Sequence, residues 1–267
     1  MGLEDIVTEE TRLTKKPTAK ILLFDIETAP NLAYVWGKYE QNVIDYQHEW
    51  YMLTFAYKWY GEKKVHGRAL PDYRGYKKGS MDDKKLVSEL RDLFDEADII
   101  VGHNGDQFDI KKSNARFLVH GLPPPSPYKT VDTKKVAKKY FNFNSNKLDD
   151  LGQHLGLGRK EKHEGFELWL GCMRGDPKSW AHMLKYNKQD VNLLESVYET
   201  MKPWMTNHPN LAAIAGKECA CPNCEGGNLQ RRGFNYTRTG KFQRYSCLDC
   251  GAWSSARRGE GPQTEVK

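Results

Sequence analysis

The sequence predicts an α/β protein with a mixed central sheet, followed by a small metal-stapled module. Three observations carry this expectation. Short apolar runs of strand length, "KILLF" and "DIIVG", alternate with segments of helical spacing. A β-rich pair of runs at residues 51–70 comes before the first helix. Two C-x2-C pairs, "CPNC" and "CLDC", stand near the C-terminus. The 267 residues are enough for one large core and one small domain.

Residues 1–19 read as a polar lead-in. "AKILLFDIET" is a buried strand by its length and apolar content. "YMLTFAYKWYGEKKVHGRAL" holds two β-rich runs with Gly61 in the turn, a hairpin. Leu86, Leu90, Leu93, Phe94 and Ala97 recur at helical spacing. "DIIVGHN" is a second buried strand, and "GDQFDIKKSNARFLVHG" continues as a helix that stops at Gly121. "LPPPSP" is a rigid connector. "YKTVDT" predicts a strand, "TKKVAKKYF" and "KLDDLGQHLGL" short helices, and 177–203 a long helical region between two prolines. The predicted organisation is a domain over 20–205, a linker over 206–217, a four-cysteine module over 218–258 and a tail over 259–267.

Mean hydropathy is low and no run of about 18 apolar residues exists, which predicts no membrane span and no membrane partner. The N-terminal stretch is charged and lacks an apolar core, unlike a secretory leader, and "GLEDIV" is a poor myristoylation signal. The expected compartment is the cytosol, of a bacterium or a phage-infected host. There, six cysteines are thiols or metal ligands rather than disulfides. Net charge is +6, and residues 217–258 carry +5 of it, with eight basic and three acidic side chains. A basic excess in one small segment points to a polyanionic partner, although a merely solvated face has the same composition.

The run "LLFDIET" places Asp25 and Glu27 two residues apart. On a strand both point to one face. Asn104 and Asp109 follow the "DIIVG" strand in "HNGDQFD". Tyr186 and Asp190 stand at i and i+4 in "YNKQD", one face of a helix. Strand ends and helix starts of an α/β sheet tend to converge on one edge. Carboxylates brought together there resist joint ionisation, and hard divalent cations, Mg²⁺ or Mn²⁺, relieve this. Two such ions, about 3.5–4 Å apart, can clamp the attacking and leaving oxygens of a phosphodiester. Tyr186 can orient the attacking water, whereas a hydroxyl of pKa about 10 is a poor general base. Alone, each acid pair is an ordinary strand end, helix cap or amphipathic face. The order of all three together points to a site.

"FDIET", "NGDQFD" and "YNKQD" resemble the three exonuclease motifs of the DnaQ-like DEDD superfamily, within the ribonuclease H fold. The third motif carries Tyr where another branch carries His, and position 185 is Lys, so it resembles the Tyr-type branch. "ETAPNLAYVWG" and "SNKLDDLGQHLG" are similar to YprB-like and phage proteins of this kind. The resemblance covers about residues 18–205. It implies metal ligation by Asp25, Glu27, Asp109 and Asp190, and a catalytic role for Tyr186. It also implies substrate contacts near Thr28 and Asn104, with Lys147 a softer candidate. Asp132 is either a supporting acid or a strand-end cap, and His103 is structural. Tyr34 and Trp36 are expected to pack, with base stacking the alternative.

Cys221, Cys224, Cys247 and Cys250 supply the four soft ligands of a closed, structural Zn²⁺ ribbon. Cys219 is the one plausible ligand swap, and Cys172 is a lone thiol. Between the knuckles, Arg231, Arg232, Arg238, Lys241 and Arg244 alternate with Phe234, Tyr236, Phe242 and Tyr245. The expectation is that some rings pack as the ribbon's core while the cations meet nucleic acid. The segment resembles ribbons of transposase-like and phage DNA enzymes.

The expected activity is metal-dependent hydrolysis of DNA, a 3′–5′ exonuclease acting in replication or repair. No polymerase domain accompanies it, so proofreading would act in trans with a replication or recombination protein. A structure-specific endonuclease on flaps, branches or displacement loops is the alternative enzyme. A silent nucleic-acid-binding module is the alternative of another class, and RNA stays open as substrate. Single-stranded or branched DNA is the expected partner.

Overall fold

The computed structural model describes residues 18–39, 42–159, 165–238 and 240–259. Its centre is a five-stranded mixed sheet. In chain order the strands are β1 (Ile21–Thr28), β4 (Met52–Trp59), β5 (His66–Ala69), β6 (Ile99–Gly102) and β7 (Lys129–Asp132). Their spatial order is β5-β4-β1-β6-β7. β4 pairs antiparallel with β1 and β5, while β1, β6 and β7 run parallel. The hairpin expected around Gly61 is β4–β5, and Gly61 has φ of 85°. Between β1 and β4 lies a further short hairpin, β2 (Leu32–Tyr34) and β3 (Asp45–His48). The sequence reading missed it because neither strand alternates: their side chains are mostly exposed, including Tyr34, and Trp36 beyond β2 is exposed too. Those two rings were expected to pack and instead face solvent, because no sheet partner covers the hairpin.

Helices cover both faces. One core packs Leu22, Phe24 and Ile26 of β1 against α1 (Lys84–Glu96) and α2 (Asp109–Val119). The other packs Ile21 and Leu23 against α3 (Thr133–Tyr140), α4 (Leu148–His154) and the long α6 (Pro177–Met201). The period of two along β1 therefore feeds two cores. α5 (Phe166–Met173) precedes α6 and has no counterpart in the sequence reading, where its short, nearly all-apolar run shows no period. α6 starts where Asp176 accepts from the Ser179 amide, with Pro177 at its first position.

The segment 206–217, read as a linker, is packed. Its short helix α7 (Leu211–Ile214) buries Leu211 in the second core, and the Leu211 amide donates to Pro222 O at 2.8 Å. The C-terminal module is a three-stranded sheet of β8 (Leu229–Tyr236), β9 (Lys241–Cys247) and β10 (Trp253–Ser255), in the order β10-β9-β8. It docks on the large domain. Asn223 donates to Lys202 O at 2.8 Å, and buried Glu225 accepts from the Thr18 amide and from Lys217 at 2.8 Å each. The ring core expected for this module is absent among the described residues. Its centre is Cys221, Cys247 and Ala252, with Leu229 beside them, because a module this small closes on its cysteines. Of the lead-in, residues 1–17 lie outside the described residues, as do 260–267 of the tail.

Two consequences are measurable. A Cβ on Gly152 of α4 would lie 2.7 Å from Leu193 Cδ1 and 2.9 Å from the backbone oxygen of Gly158. Gly152→Ala is expected to cost about 1–3 kcal/mol of unfolding free energy in chemical denaturation. Buried His208 accepts from Tyr198 Oη at Nε2 and donates from Nδ1 to Pro209 O, both at 2.7 Å. Burial, helped by the charge of Lys202, lowers its pKa to about 4. The folded state holds the neutral ring and the unfolded chain protonates first, at about pH 6.5. Stability is therefore full above pH 6.5 and falls by up to about 3 kcal/mol as the pH drops toward 4. Denaturation curves for His208→Gln across this range should lose that slope.

Candidate active site

β1 runs into the open edge of the sheet where β6 and β7 also end. Asp25 and Glu27 continue, on the same face, the row that Ile21 and Leu23 begin. Glu27 pairs across the sheet with Thr54 of β4, and the register slips between Glu27 and Thr28. A bulge at that point re-aims the strand end. α6 crosses this face and brings Asp190, which is buried, to the same place. Carboxylate oxygens of Asp25, Glu27 and Asp190 all lie within 4.8 Å of one another. This is a set of hard oxygen donors, which fits Mg²⁺ or Mn²⁺.

Asp109 is not part of that triad. It opens α2, is 4% exposed, and its Oδ1 accepts from the Ile26 amide at 3.3 Å. Ile26 stands between the two acids of β1, so Asp109 adjoins the cluster through the strand's backbone. Tyr186 sits one turn before Asp190, buried, its ring edge-on to Trp169 at 6.4 Å. The face of α6 predicted from the i, i+4 spacing is therefore the face turned to the sheet.

Asn187 was missed by the sequence reading. It is fully buried, donates to Asp25 Oδ2 at 2.6 Å and accepts from Thr54 Oγ1 at 3.1 Å. The chain Thr54–Asn187–Asp25 fixes one carboxylate of the triad and ties α6 to β4. Its signal lay in "YNKQD": Asn187 and Asp190 are i, i+3 and share a face.

Asn104 follows β6 in the left-handed region, φ 66°. Its amide donates to Asp132 Oδ1 at 2.9 Å, and its side chain accepts from Lys134 at 3.3 Å. Gly105 lets this turn close, since a Cβ there would stand 3.2 Å from Gly102 Cα. Asp132 resolves as a cap: the same oxygen accepts from the Lys134 and Lys135 amides at the start of α3. His103 bonds Thr133 Oγ1 and Asn146 O, both at 2.9 Å, which places exposed Lys147 beside this loop. Thr28 lines an open cleft of about 420 Å³ next to the acids, together with Trp50, Lys112, Phe166 and Trp169. Lys112 lies 3.7 Å over the Trp50 ring, and burial lowers its pKa.

The second metal-competent group is Cys221, Cys224, Cys247 and Cys250. The Cys221–Cys250 and Cys224–Cys247 sulfurs are each 3.6 Å apart. A tetrahedral Zn²⁺ with bonds of about 2.3 Å sets its ligands about 3.7 Å apart, so the four sulfurs fit a zinc ion. Cys219 is exposed and outside the group, and Cys172 is buried in the first core. Arg231, Arg232, Arg238 and Arg244 are exposed on the ribbon, and Lys241 is half-buried. Lys241 lies 3.6 Å over Phe234, and Arg244 lies 4.8 Å over Trp253.

A sheet of this order, carrying acids at the end of its central strand, defines a ribonuclease H-like fold. The sequence model of RNase_H_2, described as RNase_H superfamily, matches residues 47–202. That is more than half of the chain, which belongs to this superfamily. The matched span holds Asp109, Tyr186, Asn187 and Asp190, while β1 precedes it. No curated protein matches the chain. Among solved structures, the family B DNA polymerase from the hyperthermophilic archaeon Pyrobaculum calidifontis is similar over 84% of this chain and 32% of its own, with a TM-score of 0.53 and 17% identity. The chain thus spans about a third of that polymerase, and the likeness is one of fold.

Asn187→Ala removes the donor to Asp25 and the acceptor of Thr54. Outer partners of this kind typically change metal affinity 10–100-fold. A weakening of about that size in Mn²⁺ affinity, read by titration calorimetry, is the expected result.

Proposed function

We propose that this chain is a metal-dependent nuclease of the Tyr-type DEDD branch, hydrolysing DNA from the 3′ end. The observation that carries the reading is the convergence of Asp25, Glu27 and Asp190 within 4.8 Å, with Asp109 bonded to the backbone between the first two. Carboxylates have no reason to crowd at a strand end unless cations join them. Asp25, Glu27 and Asp190 would hold such ions, with Asp109 at their flank. When bound, the ions lower the pKa of water and neutralise charge on the scissile phosphate.

The side chains of the chain itself do the positioning. Asn187 keeps one Asp25 oxygen fixed, so that the other is presented in a constant direction. Tyr186, neutral at physiological pH, orients a water or a phosphate oxygen through its hydroxyl. The adjoining cleft suits a nucleotide: Trp50, Phe166 and Trp169 offer ring faces and Lys112 a cation. The four-cysteine ribbon holds one structural zinc and presents Arg231, Arg232, Arg238, Lys241 and Arg244 to the polyanion.

The decisive assay offers end-labelled single-stranded, duplex, flap and displacement-loop DNA with Mg²⁺ or Mn²⁺, and with EDTA. A metal-dependent ladder shortening from the 3′ end is expected. Asp109→Asn should lower the rate by at least ~100-fold while sparing binding. One discrete product near a branch would replace the exonuclease with a structure-specific endonuclease. Binding without cleavage of any DNA would overturn the reading.

A further inference from the structure

The ribbon is one of two basic blocks. Residues 129–147 hold six lysines and one acid, a net +5 in a short stretch. With the ribbon's +5, this leaves the remainder of the chain at −4. The second block is centred on α3. Its inward face is Thr133, Val136 and Ala137, all buried. Its outward face is Lys134, Lys135, Lys138 and Lys139. These form two same-sign i, i+4 pairs, which oppose helix formation, although lysines in the last turn gain from the helix dipole. Lys135 pairs with Asp106 at 2.6 Å. Neither Lys138 nor Lys139 has an acidic partner among the described residues.

Position gives this face its meaning. The start of α3 belongs to the open edge of the sheet: Asp132, Lys134 and Asn104 are bonded together, two strands from β1. Its end reaches the ribbon's footing. Tyr140 Oη bonds Thr206 Oγ1 at 2.7 Å, and Phe141 packs on Trp204 at 5.5 Å. Two residues before Trp204, the Lys202 carbonyl receives Asn223 of the first cysteine knuckle. α3 thus lies along α6 from the acids toward the ribbon, sharing one core with it.

We propose that the lysine face of α3 is a second nucleic-acid contact, a track that carries the phosphate backbone between the ribbon and the acid cluster. The partner is the sugar-phosphate chain irrespective of base, because lysine offers a mobile point charge and no bidentate geometry. The twelve residues of α6 from Asp190 to Lys202 span about 18 Å, or about five nucleotides at 3.4 Å each. Substrates longer than this engage the track, and shorter ones do not. The cleavage arm of this proposal rests on the nuclease reading, whereas its binding arm does not.

The test compares the parent chain, Lys138→Gln/Lys139→Gln and Lys138→Arg/Lys139→Arg. Binding to a 30-nucleotide DNA is followed across salt concentrations with Ca²⁺ replacing the reactive ions. The glutamine pair should flatten the slope of log K against log salt by about 1.4–1.8, two phosphate contacts, and the arginine pair should restore it. The p-nitrophenyl ester of thymidine 5′-monophosphate, too short for the track, should be cleaved at the parental rate by all three. The 30-nucleotide strand should be degraded several-fold more slowly by the glutamine pair alone. An unchanged salt slope in the glutamine pair overturns the track. A parent that cleaves neither the ester nor any strand overturns the nuclease reading, and the salt slope still decides the track.

Discussion

The crowding of carboxylates at the end of β1 is the constraint that the rest of the domain answers to. Oxygens of Asp25, Glu27 and Asp190 within 4.8 Å repel one another when all are ionised. The sheet puts them where a cation can reach them, at the edge where three parallel strands end. Fixed donors then hold them: Asn187 on Asp25, and the Ile26 amide on Asp109. Asp190 comes from a different element, so its distance to β1 depends on how closely α6 lies on the sheet. That closeness is set well away from the acids. A Cβ at Gly67 on β5 would stand 2.8 Å from Leu184 and Lys188 of α6. Packing and site geometry are therefore one problem, in a core dense enough to transmit small displacements.

α6 also joins the two modules. Its first half carries Tyr186, Asn187 and Asp190, and its end leads into Lys202, whose carbonyl holds Asn223 of the ribbon. The Lys202 ammonium is buried, 4.6 Å over the Tyr60 ring and 5.4 Å over that of Tyr198. Its pKa is lowered by burial, and the nearby thiols of Cys224, Cys250 and Cys221 pull the other way. A buried cation beside four sulfurs is the electrostatic complement of a zinc tetrathiolate, which carries −2. Thr18, ahead of β1, bonds Glu225 of the same knuckle. The ribbon is thus footed on both ends of the large domain's chain.

The parts legible in the sequence were those whose side chains obey a period. β1, β6, α1 and the i, i+4 pair on α6 follow alternation or the helical repeat because each has one face against a core. The four cysteines were legible because zinc demands their spacing. The β2–β3 hairpin was not, since it is exposed on both faces and carries no alternation. α7 was hidden because four residues are too few to show a period, and its burial comes from the ribbon's docking. Asn187 stood in plain sight inside "YNKQD", yet an amide announces no chemistry until its partner, Asp25, is placed 162 residues away in the chain. The rings between the knuckles looked like a core by composition alone. The cysteines occupy that place, which leaves Phe234 and Trp253 as platforms under Lys241 and Arg244.

Those platforms separate the two basic surfaces by kind. On the ribbon, a cation resting on a ring loses side-chain freedom before any partner arrives, which favours a fixed mode of contact. On α3, Lys138 and Lys139 extend from a helix with no acid to hold them, and each keeps its rotamer freedom. Mobile ammonium groups tolerate a backbone that advances past them one nucleotide at a time, whereas a rigid pair favours one register. An enzyme that shortens a strand stepwise needs the first property close to its acids and the second farther off. α3 bonds to the loop beside the acids, and the ribbon is footed at the far end of α6. This arrangement puts the mobile charges next to the chemistry and the preorganised ones at a distance.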